Sequence, residues 1–521
     1  MSRLAAADLG GARARIDGHD LRCEVERQAV PRLADLLRAE LGAELELLAG
    51  ADTRREAGAF TLVYRFASRP PQPPAVVVAE VRVPPDDPTF PSLATRSYAA
   101  SRYEREVQDL LGLRAEGHPD PRRLPLHQFW PEGYHPLRHD AGPAGDFADD
   151  GRPYPFRRVE GEGIFEITVG PVHAGIIEPG HFRFSVEGET IVNLETRLYF
   201  VHKGIEKLFE TLPFGRTVAL AERISGDTSV GHAVAYCQAL EALAGVEPPR
   251  RAALVRVLLL ELERLYNHVG DVGAILNDTG YTFAHAHCGR LREDLLRLNG
   301  RLAGHRLLRG AVVPGGVTLD VTGDAAMAIR AAVERVVADF EEVTKIALGN
   351  TLVLERLQGT GQLTRRTAEE MQVVGLVARA SGIDADARRD APSAAYGELA
   401  PCTVVHPEGD VWARTMVRIG EAREAARLIG AVAERLEPGP LTVPVGPLPA
   451  RAHAFGLVEG WRGPLLHWVL TGPGGELARV KVKDPSFVNW PALEYAVLKN
   501  IVPDFPLCNK SFNLSYSGND L

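Results

Sequence analysis

Cysteine and histidine side chains are the first candidates for chemistry here, because thiolates and imidazoles are common ligands of transition metals. The five cysteines are widely spaced, and none forms a CxxC pair. This spacing favours reduced thiols over a disulfide framework. The densest cluster is His285, His287 and Cys288. On a helix only His285 and Cys288 would share a face and no fourth ligand is evident, so we favour an ordinary helix over a zinc site.

Glycine-rich segments and the overall charge argue against two further classes of function. Segments 313–316 and 472–475 match neither the dinucleotide-binding nor the phosphate-binding loop pattern, so both are interpreted as turns. The net charge is −9, whereas nucleic-acid binding needs a basic surface for phosphates. We therefore expect no nucleic-acid partner and no nucleotide site on this chain.

The sequence contains no predicted membrane span. No uninterrupted apolar run reaches the roughly 18–20 residues that cross a bilayer, and the N-terminus lacks the apolar core of a signal peptide. The most apolar stretch, residues 254–265, is interrupted by charged residues. We expect a chain that is soluble or attached to a membrane only through partners.

The first 135 residues predict a small α/β module. Residues 20–50 are interpreted as a helix with one apolar side, and 95–113 as a second helix. Segments 59–66 and 75–83 are rich in β-branched residues and predict strands. Segment 136–165, rich in Gly, Pro and Asp, is the predicted linker, because such a composition buries little apolar surface.

Residues 166–521 predict a larger unit of long helices between β-rich ends. Strands are predicted at 164–169 and 181–192, and a shorter β-like region at 440–490. Five long helices with wide apolar stripes are predicted at 229–244, 249–271, 283–308, 323–351 and 366–380. The expected fold class is therefore α+β, with a helix-bundle core in the large unit.

Two sequence blocks in the first module carry a family resemblance. They are Y-E-R-E-V-Q-D-L-L-G-L at 103–113 and G-H-P-D-P-R-R-L-P-L at 117–126. This part of the chain resembles the small docking subunit of respiratory complex I, its C-type subunit. The resemblance implies that residues 1–135 form a docking domain.

The larger unit carries a second set of blocks in family order. They are G-P-V-H-A-G-I-I-E-P-G-H at 170–181, V-H-K-G-I-E-K at 201–207, E-L-E-R-L-Y-N-H-V-G at 261–270, V-P-G-G-V at 313–317, R-A-S-G at 379–382 and K-D-P-S-F at 483–487. This unit resembles the quinone-binding, D-type subunit of complex I. It resembles more closely the large subunit of group 4 (formate-hydrogenlyase and hydrogenase-4 type) nickel–iron hydrogenases.

The resemblance also locates what the sequence has lost. Family hydrogenases bind nickel and iron through two CxxC pairs, and the four cysteine positions here hold Ser225, Thr228, Ser515 and Gly518. Neutral hydroxyls and a glycine cannot replace four thiolates as ligands of a soft metal. We therefore expect no metal bound by this chain and no nickel–iron centre.

The quinone donors of the D-type complex I subunit are missing too, because the histidine position holds Ile177 and the tyrosine position holds Gly226. A quinone-type molecule could still bind through other donors in a mostly apolar pocket. The residues expected to line such a pocket are Arg223, Asp227, Thr228, His232 and Tyr516.

Two further residues are candidates for proton transfer. Glu178 matches a hydrogenase glutamate that passes protons away from the metal, and the alternative is a carboxylate that binds loop amides. His232 follows the former metal loop; it either forms a hydrogen bond to the pocket or only packs its helix.

The resemblance implies a place in a larger assembly. We expect a peripheral subunit on the cytoplasmic face of the membrane, in a complex-I-like or hydrogenase-4-like oxidoreductase. Its expected partners are a small iron–sulfur subunit that carries a [4Fe–4S] cluster, antiporter-like membrane-arm subunits and an anchor subunit. Two hypotheses remain open: an enzyme subunit with a modified quinone-type acceptor, and a structural or coupling subunit without chemistry of its own.

Overall fold

The N-terminal module is built on a five-stranded sheet. The computed structural model describes residues 13–17, 20–145, 147–149 and 151–521. The strands are β1 (Arg13–Asp17), β2 (Asp20–Glu24), β3 (Ala43–Ala51), β4 (Phe60–Ser68) and β5 (Val76–Val83). They follow the order β1-β2-β5-β4-β3, with β2 and β5 parallel and the other neighbours antiparallel.

The predicted strands at 59–66 and 75–83 are confirmed as β4 and β5, but the single helix over 20–50 is wrong. Only α1 (Val30–Leu41) is helical there, with β2 before it and β3 after it. Gly42 ends the helix in the left-handed conformation (φ 58°), which glycine adopts without steric cost. The helix-forming residues of β3 are held extended by pairing with β4.

Helix α3 (Tyr98–Leu111) confirms the predicted helix at 95–113 and is buried along most of its length. The short α2 (Arg54–Ala57), β6 (Thr89–Pro91) and β7 (Arg114–Glu116) complete the module. Gln372 of the large unit accepts hydrogen bonds from Ser97 Oγ (2.6 Å) and the Ala99 amide (3.0 Å). The large unit thus supplies the cap at the start of α3.

The described residues of the segment predicted as a linker (136–145, 147–149 and 151–163) have no regular structure before β8 (Ile164–Val169). Two aromatic rings of this segment contact the rest of the chain. The guanidinium of Arg197 lies 4.6 Å from the centre of the Tyr154 ring, and that of Arg183 lies 4.4 Å from the Phe156 ring. Strands β9 (His181–Glu187) and β10 (Thr190–Arg197) form a hairpin beside β8. The predicted strand at 181–192 is therefore two strands.

Long helices form the centre of the large unit. They are α6 (Ser229–Ala244), α7 (Arg250–Asp278), α8 (Thr282–Ala303), α9 (Gly323–Leu348) and α15 (Val411–Arg435). The first four were predicted, whereas α15 was missed. Helix α15 packs along α7 and α9, and its Leu428, Ile429 and Val432 lie in the same apolar core.

Shorter elements fill the space around this bundle. They are α4 (Ile205–Thr211), α5 (Thr217–Ala221), β11 (Val312–Val313), β12 (Gly316–Val317), α10 (Thr351–Leu357), α11 (Arg365–Glu370), α12 (Gly375–Ala380), α13 (Ala387–Asp390) and α14 (Tyr396–Leu399). The helix predicted over 366–380 is broken into α11 and α12. Gln372 lies at the break with φ 58°, and this conformation directs its side chain to α3.

The C-terminal region combines an antiparallel sheet with three helices. The sheet has β13 (His453–Glu459), β14 (Pro464–Thr471) and β15 (Leu477–Lys483); the helices are α16 (Pro485–Ala496), α17 (Phe505–Phe512) and α18 (Tyr516–Asp520). The α+β class is confirmed. None of the described helices combines the length and apolarity needed to cross a bilayer.

Candidate functional site

The two segments that correspond to the lost metal ligands meet in space. Ser225 lies before α6, and Ser515 caps α18 by accepting the Gly518 amide (2.8 Å). The hydroxyls of Ser225 and Ser515 lie 2.9 Å apart and share a hydrogen bond. Residues 290 positions apart along the chain thus form one cluster, made of 225–228 and 515–518, which we call the vacated pocket after the ligand positions it corresponds to.

An ion pair between Asp227 and Arg462 closes one side of the vacated pocket. Arg462 Nη1 and Nη2 donate to the two Asp227 carboxylate oxygens at 2.9 and 2.6 Å. Ser225 and Thr228 also donate to this carboxylate, at 2.7 and 3.1 Å. Burial alone would raise the pKa of Asp227, but Arg462 and these hydroxyls hold it at about 2. Asp227 is therefore a carboxylate throughout the physiological pH range.

The residues of the vacated pocket do not fit a nickel–iron centre. Ser225, Thr228 and Ser515 are engaged in hydrogen bonds with one another or with Asp227, and Gly518 has no donor atom. A Cβ at position 518 would lie 2.5 Å from an oxygen of Asp484, so another side chain occupies that direction. Within the described ranges, no group of three or more His, Cys, Asp or Glu side chains could hold a metal ion.

His232 lies behind the pocket and is fully buried. Its Nε2 lies 3.2 Å from Asp484 Oδ2, and its Nδ1 lies 3.1 Å from Nε2 of His467. The pKa of Asp484 lies below its usual value. Burial raises this pKa, but the hydrogen bond and charge of His232 act against burial. Burial also places the pKa of His467 well below its usual value. Both ring nitrogens of His232 face polar partners, so packing of its helix alone does not describe this residue.

Glu178 and Tyr516 lie at the edge of the pocket, in and under the loop between β8 and β9. Glu178 accepts the backbone amide of Ser517 at 3.1 Å, which is the loop-amide contact considered as its alternative role. The Tyr516 ring packs edge-on against Trp490, with ring centres 4.9 Å apart. Burial raises the pKa of Tyr516 to about 12. Both residues are in place to contact a molecule at the pocket mouth.

Arg223 does not line the pocket as the sequence indicated. Its guanidinium donates to the carbonyl of Ala219 at 2.6 Å and its side chain is 55% exposed. Arg462, which the sequence analysis missed, supplies the pocket's guanidinium instead. The only signal for Arg462 was its position in a G-W-R-G turn between two strands, which has no chemical signature of its own.

A second missed residue, Glu263 on α7, lies beneath the vacated pocket. Its carboxylate oxygens accept the amides of Val230 and Gly231 at 2.7 and 3.0 Å, at the start of α6. Burial raises the pKa of Glu263 to about 8, although these amides oppose the shift. Asp484 and His467 were missed as well. Asp484 is the acidic residue of the K-D-P-S-F block, and its place in that block was the sequence signal that could have identified it.

Exposed apolar side chains are concentrated in and beside the β8–β9 loop, which also contains Glu178. In the β8–β9 loop, Val172 is 82% exposed and Ile176 is fully exposed, and Ile177 is exposed as well. Phe165 and Phe200 are two further exposed apolar residues in the neighbouring segments. Exposed apolar groups concentrated on one loop are typical of a surface that a partner or an apolar ligand covers.

Comparisons with known proteins agree with this architecture. Residues 23–146 match the family model described as "Respiratory-chain NADH dehydrogenase, 30 Kd subunit", and residues 278–447 match "Respiratory-chain NADH dehydrogenase, 49 Kd subunit". The structure is also similar to a chain in the solved structure of the membrane-bound sulfane sulfur reductase, an archaeal respiratory membrane complex. The TM-score is 0.65 and the sequence identity is 27%. The similarity covers 69% of this chain and 99% of that chain.

Curated relatives span nearly the whole sequence. Formate hydrogenlyase subunit 5 of Escherichia coli is 33% identical over 94% of this chain and 87% of its own length. The C/D subunit of NADH-quinone oxidoreductase from Phocaeicola vulgatus is 30% identical over 74% of this chain and 78% of its own length. The chain therefore belongs to the family of fused 30-kDa and 49-kDa subunits that includes formate hydrogenlyase subunit 5 and the C/D subunit of NADH-quinone oxidoreductase.

Proposed function

We propose that this chain is a peripheral subunit of a complex-I-like, membrane-bound oxidoreductase, and that its vacated pocket receives a quinone-type electron acceptor. Electrons would come from a [4Fe–4S] cluster in a small partner subunit, close to the segment 225–232. The remaining expected partners are antiporter-like and anchor subunits of a membrane arm, which would hold the chain at the cytoplasmic face. In this proposal residues 1–135 form the docking domain, 136–165 the linker and 166–521 the large domain.

One observation carries the proposal: the metal ligands are lost while a polar, titratable pocket is kept. The hydroxyls of Ser225 and Ser515 still meet at 2.9 Å, and the Asp227–Arg462 pair lies beside them. An apolar entrance with a few fixed polar groups is the usual design of a site for an apolar ligand with a polar head group. A carbonyl oxygen of the ligand would replace one of the hydrogen bonds that Arg462 and the hydroxyls make to Asp227, and His232 lies behind them.

The test is acceptor reduction by the purified, intact complex. With its iron–sulfur clusters reduced by dithionite, we expect an added short-chain quinone to reoxidise them, followed by their absorbance. Asp227→Asn keeps the shape but leaves Arg462 without its anion, and it should slow reoxidation about tenfold or more. Asp339→Asn, at an exposed ion pair with Arg290, is the control and should match the wild type. Clusters that no quinone reoxidises would contradict the proposal.

A specific observation favours the second candidate, a coupling subunit without chemistry. Arg462 binds Asp227, Thr228 and the carbonyl of Asn513 at once. It thereby ties the start of α6 to the C-terminal segment in one fixed arrangement. In that case the complex would assemble and move ions, and His232→Ala would change neither acceptor reduction nor assembly. A measurable loss of acceptor reduction in His232→Ala would exclude it.

A further inference from the structure

A row of ionisable side chains is buried where helix α3 of the first module meets the large unit. Lys481 of β15 donates to Glu106 of α3 at 2.7 Å and to Glu206 of α4 at 3.1 Å. All three side chains are less than a tenth exposed. Each comes from a different element, so this contact forms only when the two units are packed together.

One end of this row leads to solvent. Glu206 and Glu210 are four residues apart on α4 and therefore share a helix face. Arg479 donates to Glu206 at 2.5 Å, and Lys207 binds the half-buried Glu210 at 3.1 Å. Lys207 and Glu210 line a cleft of about 1180 Å³ between the first module and the large unit. The row thus begins at a wide, water-accessible cleft.

The other end leads towards the vacated pocket. Three buried atoms there have no hydrogen-bond partner among the described residues: Glu106 Oε2, Tyr199 Oη and Arg102 Nε. Arg102 and Glu106 are four residues apart on α3 and therefore share a helix face, and the charges of both act on the Tyr199 hydroxyl. Buried polar atoms in such a group usually bind ordered water. A water here would join Glu106 to Tyr199 and Arg102.

From Arg102 the row continues through α18. Arg102 donates to Asn519 Oδ1 at 2.8 Å, and Asn519 donates to Asp520 Oδ1 at the same distance. Asp520 lies three residues after Ser517 on α18, so the two residues share a helix face. Glu178 accepts the Ser517 amide at the pocket edge, and the Ser517 hydroxyl lies 3.3 Å from Ser515 Oγ. The row therefore ends at the former ligand positions.

We propose that this row is a proton route from the cleft to the vacated pocket, along the interface of the two units. Each transfer hands on one proton from Glu210 past Glu206 to Lys481, then to Glu106, and through water to Asp520 and Glu178. Each group then takes the next proton from the cleft side, so one proton crosses and every group is restored. Arg479 and Arg102 stay charged and act as positioning residues. This proposal rests on the proposed function, because reduction of a quinone-type acceptor consumes protons.

The protonation properties of the row suit transfer better than a purely structural role. Burial raises the pKa of Asp520 to about 6 and raises the pKa of Glu106, where Lys481 opposes the shift. Burial also raises the pKa of Glu210. Asp520 can therefore take up and release a proton near neutral pH, whereas Arg479 and Lys481 hold the pKa of Glu206 at about 2, so that Glu206 stays a carboxylate beside Lys481.

The test measures proton exchange in the assembled complex, so a complex that reduces no quinone still tests the route. The carboxylic C=O stretching band of Asp520, assigned by its loss in Asp520→Asn, shifts when the carboxyl exchanges with D₂O. It is followed by infrared spectroscopy roughly one unit below the Asp520 pKa, where this group is protonated. Glu106→Gln should slow the exchange about tenfold or more, because a relay carboxyl is lost.

Matched variants separate a proton route from a structural role. Glu104 lies on the same helix and is fully buried, but it binds Ser92 and the Leu93 amide away from the row. In Glu104→Gln, the Asp520 carboxyl should exchange at the wild-type rate. Glu106→Asp keeps a carboxyl at position 106 and should retain most of the exchange rate that Glu106→Gln loses. Lys481→Met carries the same expectation as Glu106→Gln and replaces it if that variant fails to assemble. Wild-type exchange rates in both Glu106→Gln and Lys481→Met would overturn the proposal.

Discussion

The vacated pocket and the buried arginine cluster of the large unit are both built from charged side chains, but they balance charge differently. The buried arginine cluster consists of Arg264, Arg379, Arg388, Glu261, Glu421 and Glu459. In it Arg379 donates to Glu421 and to Glu459 at 2.8 Å each, and Arg264 reaches Glu261 and Glu421 at 3.2 Å. Each of the three arginines lies against two carboxylates, since Arg388 contacts Glu261 and also binds Asp386 at 2.7 Å, and all of these side chains are at most 2% exposed.

The vacated pocket has no such balance. Asp227 is paired with Arg462, whereas Glu263 lies beneath it without a cation within hydrogen-bond distance among the described residues and has a pKa raised to about 8. In the cluster every carboxylate lies within hydrogen-bond distance of an arginine, and these contacts fix the packing of α7, α12 and α15. A pocket with an unpaired buried carboxyl can change its protonation during a reaction. We therefore expect substitutions in the cluster to change mainly stability, and substitutions in the pocket to change mainly the proposed acceptor reduction.

The largest expected effect comes from breaking the cluster. Arg379→Met leaves Glu421 and Glu459 buried without their shared cation, and it should lower the free energy of unfolding by about 3–5 kcal/mol. Urea unfolding followed by circular dichroism measures it. Arg290→Met, which removes an exposed ion pair, is the control and should cost at most about 0.5 kcal/mol. A loss in Arg379→Met no larger than the control's would remove the distinction between the two regions.

Filling the fourth ligand position should have the next largest effect. Gly518→Ala places a Cβ 2.5 Å from an oxygen of Asp484, and the required shift should cost about 1–3 kcal/mol. The matched control is Gly289→Ala in the middle of α8, where a Cβ meets nothing within 4 Å. That variant should gain about 0.5–1 kcal/mol from helix propensity. Thermal unfolding compares the two, and a neutral Gly518→Ala would show that the position still accepts a side chain.

Glu263 should make stability depend on pH. Its folded-state pKa of about 8 lies above the unfolded value of 4.5, so the folded chain binds more protons between these values. Stability therefore falls as pH rises through this window, by about 2.5 kcal/mol between about pH 5 and about pH 7. Glu263→Gln should flatten the curve measured by urea unfolding from about pH 5 to about pH 8, and Glu342→Gln, at an exposed position, should not. Parallel curves for wild type and Glu263→Gln would show that Glu263 is already ionised.

The smallest effect is expected at the first ligand position. Ser225→Ala removes hydrogen bonds to Asp227 and Ser515, but both partners keep others, so the loss should be about 0.5–1.5 kcal/mol. Thermal unfolding measures it. A loss as large as that in Arg379→Met would mean that the serines are a main support of the fold rather than remnants of a ligand set.

Patterns along the chain predicted most long elements, and the misses have physical causes. Helix α6 lies where its apolar spacing indicated, at Ser229–Ala244. Strand β3 was taken as helix because A-E-L-E-L-L is rich in helix formers, and only its pairing with β4 makes it extended. Helix α15 carries buried arginines such as Arg414 and Arg418 on its inner side. Their partners come from distant segments, so its pattern is not that of a simple apolar stripe.

The candidate site was predicted where a motif marked it and missed where only folding brings residues together. Ser225, Thr228, Ser515 and Gly518 were located because two family motifs align on them. Arg462 and His467 lie in a turn and a strand without such motifs, and they reach the pocket through the β13–β14 hairpin. Arg223 matched the motif but its side chain turns outward. A motif gives the position of a residue, whereas its direction depends on the local backbone.

The most direct test of the central claim, that this family member keeps the pocket without its metal centre, is the nickel content of the intact complex. Plasma mass spectrometry should find iron from partner clusters and no nickel above background, because the pocket offers serine, threonine and glycine where a nickel–iron centre needs thiolates. Stoichiometric nickel that survives chelation and gel filtration would contradict the account.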